Sequence, residues 1–263
     1  MENEFLLRED APISPGTWSL LDTTMIQAAK SYLSGRRILD IEGPFGFGLK
    51  GIPLTDCRGE DDTIASVVQP LHLVVKTFCL GKRDIAAFER DGLMLDTGAV
   101  ASAALESAAA EDNIVFRGTG ATCGLMTTEG VNSQRLSSWN SIGKAADDII
   151  QAVTRLDEAG IHGPYALALS PARYNLLLRR YPQGGTELEH LHYMATSGIV
   201  KSPVLEGGGV LIASGKQYAS IAIGQDMAVG FTGPAGENLE FTVSESLAPL
   251  IREPAAICVL EEK

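Results

Sequence analysis

The sequence predicts an α+β fold, in which helices and strands alternate without the repeating strand–helix–strand order of a dinucleotide-binding sheet. Three observations carry this. An apolar stripe of helical period opens the chain, a glycine-broken stretch leading into a Val- and Thr-rich run follows, and capped helices then mix with short apolar strands. The 263 residues, 45% hydrophobic and 21% charged, suffice for a packed core in one large domain or two modest ones.

Ser14 can cap a helix whose first residue is Pro15, where a missing N–H costs nothing. Trp18, Leu21, Met25, Ala28 and Tyr32 recur at spacings of three and four, and Gly35 supplies a left-handed stop. Arg36 to Glu42 reads as a strand. The next stretch, with Gly43, Gly46, Gly48, Gly51, Gly59, Pro44 and Pro53, is too broken for a helix. Ile64 to Leu80 returns as an extended strand, so residues 48 to 78 form a two-stranded arm with little core of its own. An isolated hairpin is marginal in water, and such an arm wants a partner.

Asp84 to Arg90 predicts a short helix, and Asp96 can cap an alanine-rich helix from Thr97 to about Glu111. Ser141 opens a helix carrying Ile142, Ala146, Ile149, Val153 and Leu156, closed at Gly160. Tyr165 to Leu169 is a strand. Ser170-Pro171 repeats the cap-plus-proline signal for a helix to Tyr181, Pro182 to Thr186 breaks it, and Glu187 to Ala195 restarts one. Strands cover Val210–Ala213, Tyr218–Ile223, Ala228–Phe231, Leu239–Ser244 and Ala255–Leu260.

Composition excludes several functions. A formal charge of −12 disfavours nucleic-acid binding, which needs phosphate-neutralising Lys and Arg clusters. No apolar run reaches the length of a membrane span. No basic region precedes an apolar stretch at the N-terminus, which leads to the expectation of a cytoplasmic protein. Cys57, Cys79, Cys123 and Cys258 form no C-x-x-C pair, against a zinc ribbon or disulfide framework. Cys79 and Cys258 sit in apolar runs and read as small buried hydrophobes.

Catalytic and cofactor motifs are weak. Gly43-Pro44-Phe45-Gly46-Phe47-Gly48 contains G-x-G, but no helix follows to cradle a phosphate. Ser141-Ile142-Gly143-Lys144 fits S-x-x-K, in which the lysine could serve as base for a small serine hydrolase, yet K-T-G is missing. Ser141 is better explained as a helix cap. His190 and His192 lie two apart on a helix and diverge by about 200°, while Glu189 and His192 at i, i+3 lack matching motifs elsewhere. The chain therefore reads as a non-enzyme without metal or cofactor.

Five segments in order carry a resemblance: Gly35-Arg36-Arg37-Ile38-Leu39-Asp40-Ile41-Glu42-Gly43-Pro44-Phe45-Gly46, Val115-Phe116-Arg117-Gly118, Gly160-Ile161-His162-Gly163-Pro164-Tyr165, Ile223-Gly224-Gln225-Asp226 and Glu253-Pro254-Ala255-Ala256-Ile257-Cys258-Val259-Leu260. From about Glu4 to the C-terminus the chain resembles an encapsulin shell protein, a nanocompartment subunit with the tailed-phage major-capsid-like fold. The resemblance implies an N-terminal helix arm (1–35), a peripheral domain (36–47, 79–135 and 236–263), an extended loop (48–78) lying across a neighbour, and an axial domain (136–235). It also implies self-assembly into an icosahedral cage, with sixty subunits for a chain this short. Cargo enzymes would be enclosed through C-terminal targeting peptides, with ferritin-like protein, dye-decolourising peroxidase and hemerythrin-like protein as candidates.

For the cargo groove, Leu33 and Ile38 are expected to bury peptide side chains and Arg36 and Asp40 to hold polar groups, beside the Met25 face of the first helix. The five-fold pore would fall at Tyr181 to His192, with a flexible Gly184-Gly185 tip and Gln183, Glu187, Glu189 and His190 around it. Some encapsulins stack a flavin on a tryptophan, but the aligned position is Arg83, so none is expected. A phage major capsid protein is the nearest alternative; such chains carry a long N-terminal scaffolding segment, whereas here the resemblance starts almost at residue one.

Overall fold

The computed structural model describes residues 3–59 and 61–262. They divide into two compact units, one of Met1–Tyr32, Gly43–Glu111 and Ala222–Ala248, the other of Leu33–Glu42, Asp112–Ile221 and Pro249–Lys263. The helices are α1 (Pro15–Tyr32), α2 (Lys82–Asp91), α3 (Gly98–Arg117), α4 (Lys144–Glu158), α5 (Pro171–Leu176) and α6 (Glu187–Leu191). The strands begin with β1 (Asp40–Glu42), β2 (Gly51–Arg58), β3 (Ile64–Pro70), β4 (His72–Gly81), β5 (Gly118–Thr119), β6 (Thr122–Cys123) and β7 (Asn132–Arg135). They continue with β8 (Tyr165–Leu169), β9 (Gly198–Lys201), β10 (Gly209–Ala213), β11 (Ala219–Ile223), β12 (Ala228–Ala235), β13 (Asn238–Ile251) and β14 (Ile257–Glu261).

In the first unit Ser14 caps α1 as expected, its hydroxyl accepting from Thr17 N at 3.2 Å. Glu89 fixes this end, its carboxylate accepting from Ser14 N at 2.6 Å and from the Thr17 hydroxyl at 2.5 Å. Three residues of the predicted stripe, Trp18, Leu21 and Met25, are buried and pack with Phe78, Leu80, Val229, Phe241 and Val243 of β4, β12 and β13, while Ala28 is half-buried against the same core and Tyr32 is half-buried. Phe241 centres the core, with Phe78 stacked at 5.4 Å and Trp18 edge-on at 5.8 Å. β13 pairs antiparallel with β12 and with β4, placing Phe241 opposite Phe78. On β4 the side chains alternate, Val74, Phe78 and Leu80 inward, Leu73, Val75 and Cys79 outward. Cys79 is thus exposed, correcting its expected burial: it lies on the solvent side of the pleat.

In the second unit two expectations are corrected by one carboxylate. Asp112 is fully buried and accepts from Ser34 N at 2.9 Å, the Ser34 hydroxyl at 2.7 Å and Gly35 N at 2.9 Å. Gly35 therefore does not stop α1, which ends at Tyr32, but opens a 3-10 turn, Gly35–Arg37. The strand predicted from Arg36 shrinks to β1.

The sheet of this unit runs β7-β14-β10-β8-β9, with β10 antiparallel to both β14 and β8 and parallel pairs at either edge. Every residue of β8 and β10 is buried, which explains their unbroken apolar runs. Ala145, Ala146, Ile149, Ala152 and Leu156 of α4 pack in the same core as Trp139, Leu167, Leu211 and Cys258. The closing strand β14 lies in this sheet between β7, from the segment expected in the peripheral domain (79–135), and β10, from the segment expected in the axial domain. Its Ile257 to Leu260 are buried and need neighbours on both edges, which β7 and β10 supply. Residues 222–235 fall in the first unit.

Candidate functional site

The predicted arm is a two-stranded hairpin. β2 and β3 pair antiparallel, Gly51 opposite Pro70 and Arg58 opposite Ile64, with an irregularity between Pro53 and Asp56. All of residues 53–59 and 61–68 are exposed, including Ile64 at 67% and Val68 at 54%. Leu54 and Val67 stand out as well. Four large apolar side chains on one hairpin, none covered by the chain itself, mark a contact surface.

The segment expected at the pore is also hairpin-like. Leu188 N donates to the Leu177 carbonyl at 2.9 Å, Glu187 N to Arg179 at 3.1 Å and Tyr181 N to Gly185 at 3.0 Å. Pro182 to Gly185 form the tip, where Gly184 and Gly185 take φ of +99° and +77°, which glycine alone adopts freely. Gln183, Gly184, Gly185, Glu189 and His190 are exposed. The Tyr181 hydroxyl lies 3.2 Å from His190 Nδ1. Burial, then the charges of Glu187 and Asp147, push the Tyr181 phenol above its ordinary range.

Glu187 departs from this set. Its side chain is wholly buried, so it presents no charge to a passage. Its carboxylate accepts from Gly143 N at 2.9 Å, Ala145 N at 3.1 Å and Ala146 N at 3.3 Å, three donors at the N-terminus of α4. Arg179 faces the same carboxylate at 3.5 Å. Ser141 therefore does not cap this helix, which begins at Lys144. Glu189 belongs to a capping box, its carboxylate accepting from Thr186 N at 2.8 Å while the Thr186 hydroxyl accepts from Glu189 N at 3.1 Å. The T-x-x-E spacing was the readable signal for that cap, whereas the capping of α4 from a distant segment leaves none.

The hydrolase alternative finds no support. Lys144 Nζ lies 3.3 Å from the Asp147 carboxylate, and among the described residues no hydrogen bond joins it to the Ser141 hydroxyl. No group of three or more His, Cys, Asp or Glu among the described residues could hold a metal ion. No helix of the described residues is long and apolar enough to cross a membrane.

Of the cargo-groove candidates, Met25 lies in the core of the first unit. Leu33 and Ile38 are buried in the second, which removes them as open groove walls in this conformation. Arg36 is half-buried and Asp40 exposed. Further along β1, Glu42 is clamped by the Ser220 hydroxyl at 2.5 Å and by Arg252 at 2.9 Å. Arg83, at the position aligned with the flavin-stacking tryptophan, is exposed on α2.

The exposed apolar hairpin and the mixed helix-and-sheet cores agree with the capsid-type fold that the resemblance implies. The structure superposes on the virus-like particle from Pyrococcus furiosus with a TM-score of 0.77, at 24% identity over 93% of this chain and 99% of that one. By sequence the chain belongs to the encapsulin shell-protein family: residues 2–248 match the family model Linocin_M18, described as an encapsulating protein for peroxidase. The type 1 encapsulin shell protein EncA of Myxococcus xanthus is 35% identical, over 98% of this chain and 96% of that one. A diheme-cytochrome-encapsulin shell fusion protein of Kuenenia stuttgartiensis is 30% identical, over 95% of this chain and 74% of that one. The chain is accordingly a shell subunit with a phage-capsid-like fold, since the capsid of Myoviridae Phage XM1 also superposes on it with a TM-score of 0.57, at 12% identity over 91% of this chain and 92% of that one.

Proposed function

We propose that sixty copies close into an icosahedral cage that takes up a cargo enzyme through the cargo's C-terminal targeting peptide. The observation that carries assembly is the arm of residues 51–70, whose apolar side chains find no cover in their own chain. The sixty-subunit count is what the encapsulin resemblance implies. Relatives named as shell proteins favour a container whose chemistry resides in the cargo.

Cargo capture is assigned to the segment carrying Arg36 and Asp40, which flank the buried Ile38 along the chain. Arg36 and Asp40 suit the polar groups of an extended peptide, and multimeric cargo gains avidity from many identical sites. Peroxidase cargo agrees with the family description, and the name of one relative, a diheme-cytochrome-encapsulin shell fusion protein, supports redox cargo. Ferritin-like and hemerythrin-like proteins are the other candidates, all within the cytoplasm.

Passage of small solutes is assigned to the tip of Gln183, Gly184 and Gly185 with Glu189 and His190. Symmetry would repeat each group around the axis, so one glutamate becomes a ring of charge. The test is co-expression with peptide-tagged cargo. Arg36→Glu with Asp40→Lys should empty the shells without preventing their formation; full loading would remove this assignment. Glu189→Gln with His190→Ala should change the entry rate of a small cation, and an unchanged rate would remove the pore assignment.

A further inference from the structure

Phe5, Phe45 and Phe47 leave much of their ring surface uncovered in a lone subunit. They are 76%, 55% and 38% exposed, and the Phe5 and Phe47 rings stack with centroids 5.4 Å apart. A buried phenylalanine hides about 150–250 Å² and dominates the energetics of cores and interfaces. Three exposed together form a surface that a subunit conceals only against something else.

The backbone beneath them is fixed. Phe45 N donates to the Ile223 carbonyl at 2.9 Å and Gly46 N to the Gly224 carbonyl at 2.7 Å. Gly43 makes this approach possible: at φ +111°, a Cβ would lie 2.4 Å from the Ile223 oxygen. Opposite, Phe5 N donates to Asn3 Oδ1 at 3.1 Å, and the Asn3 amide is held by the side-chain carbonyl of Gln225. Gln225 is buried, its amide donating to the Ser244 hydroxyl at 3.0 Å and carbonyl at 3.2 Å. The rings therefore stand on a rigid ledge.

The ledge lines a cavity of about 890 Å³. Glu4 and Glu9 share its wall, and no lysine or arginine lies among its described lining residues. Aromatic faces beside carboxylates attract a cation attached to apolar chain.

We propose that this ledge is a contact between copies of the chain and receives a lysine- or arginine-bearing segment of the neighbouring subunit. The inference rests on the chain being a shell subunit. Gly48 of the ledge lies three residues before β2, so the surface continues into the arm that awaits another copy. Copies each carrying −12 repel one another, and a cation seated among these carboxylates offsets that repulsion where they meet. Arg83, Arg135 and Arg180 are exposed and make no ion pair among the described residues, so the chain holds cations to supply it.

Hydroxyl-radical labelling of intact shells and of dissociated subunits tests this. Phe5, Phe45 and Phe47 should be oxidised several times more slowly in shells. Equal rates would overturn the proposal, and equal rates slowed by an added arginine-rich peptide would do so in favour of a foreign partner. Phe5→Ala with Phe47→Ala should weaken each contact about tenfold or more and lower the denaturant midpoint of shell dissociation, with subunit circular dichroism unchanged. An unchanged midpoint would count against the ledge. If the double variant does not fold, labelling of the wild-type shells decides. A wild-type chain that forms no shells would instead remove the shell reading itself.

Discussion

Replacing Glu187 with alanine should loosen the start of α4 and the hairpin beside it at once. The carboxylate is fully buried and accepts from three backbone donors at 2.9, 3.1 and 3.3 Å. Ala145 and Ala146 are buried, so water does not readily replace the lost acceptor. A hydrogen bond to a charged group contributes about 1.5–3 kcal/mol, and the three share one oxygen, so the loss is less than three times that. Arg179 at 3.5 Å loses its counter-charge as well. Breaking a buried, paired charge of this kind costs about 3–5 kcal/mol. A loss of about 3 kcal/mol corresponds to roughly a hundredfold more frequent opening. Amide hydrogen exchange on intact shells reads this at Gly143, Ala145 and Ala146. Glu187→Gln keeps an acceptor but not the charge and should lose about 1–2 kcal/mol. An alanine variant whose exchange there matches wild type would refute the reasoning.

Four further outcomes are expected. Asp148 accepts from Trp139 Nε1 and Ser137 N at 2.7 Å and from the Ser137 hydroxyl at 2.8 Å, so Asp148→Ala should destabilise by about 3 kcal/mol in urea unfolding of dissociated subunits. Burial raises the Glu42 carboxyl, but the Ser220 hydroxyl and the Arg252 guanidinium outweigh it and leave it below its ordinary 4.5. Its contribution is therefore complete above about pH 4.5 and lost as pH falls through the lower folded value; Glu42→Gln should flatten the stability–pH curve below pH 4.5. Ile64→Asp with Val68→Asp should abolish assembly while leaving subunit circular dichroism intact, read by gel filtration. Burial pushes the Cys258 thiol up to about 11, so maleimide should modify Cys57, Cys79 and Cys123 in dissociated subunits long before Cys258.

Local rules located most of the elements. The Trp18, Leu21 and Met25 stripe, the Ser14 and Ser170 caps and the unbroken apolar strands all lie where short-range chemistry puts them. The departures trace to side chains arriving from afar. Asp112 seizes Ser34 and Gly35 across a separation of 77–78 residues, and Glu187 reaches α4 across 41–44. Neither has a signature near the element it changes. At the site, the Pro182–Gly185 tip was legible because glycine and proline dictate turns. The burial of Leu33 and Ile38 was not legible, because an apolar residue beside a strand reads the same whether it lines a groove or a core. The arm was legible as a segment without a core, because glycine and proline break it and its apolar residues have no helical period.

Native mass measurement with electron microscopy of the purified protein in near-physiological buffer tests the central claim most directly. Sixty copies of 27.9 kDa predict a hollow, closed particle of about 1.7 MDa. A stable, folded species at the mass of one chain would contradict it.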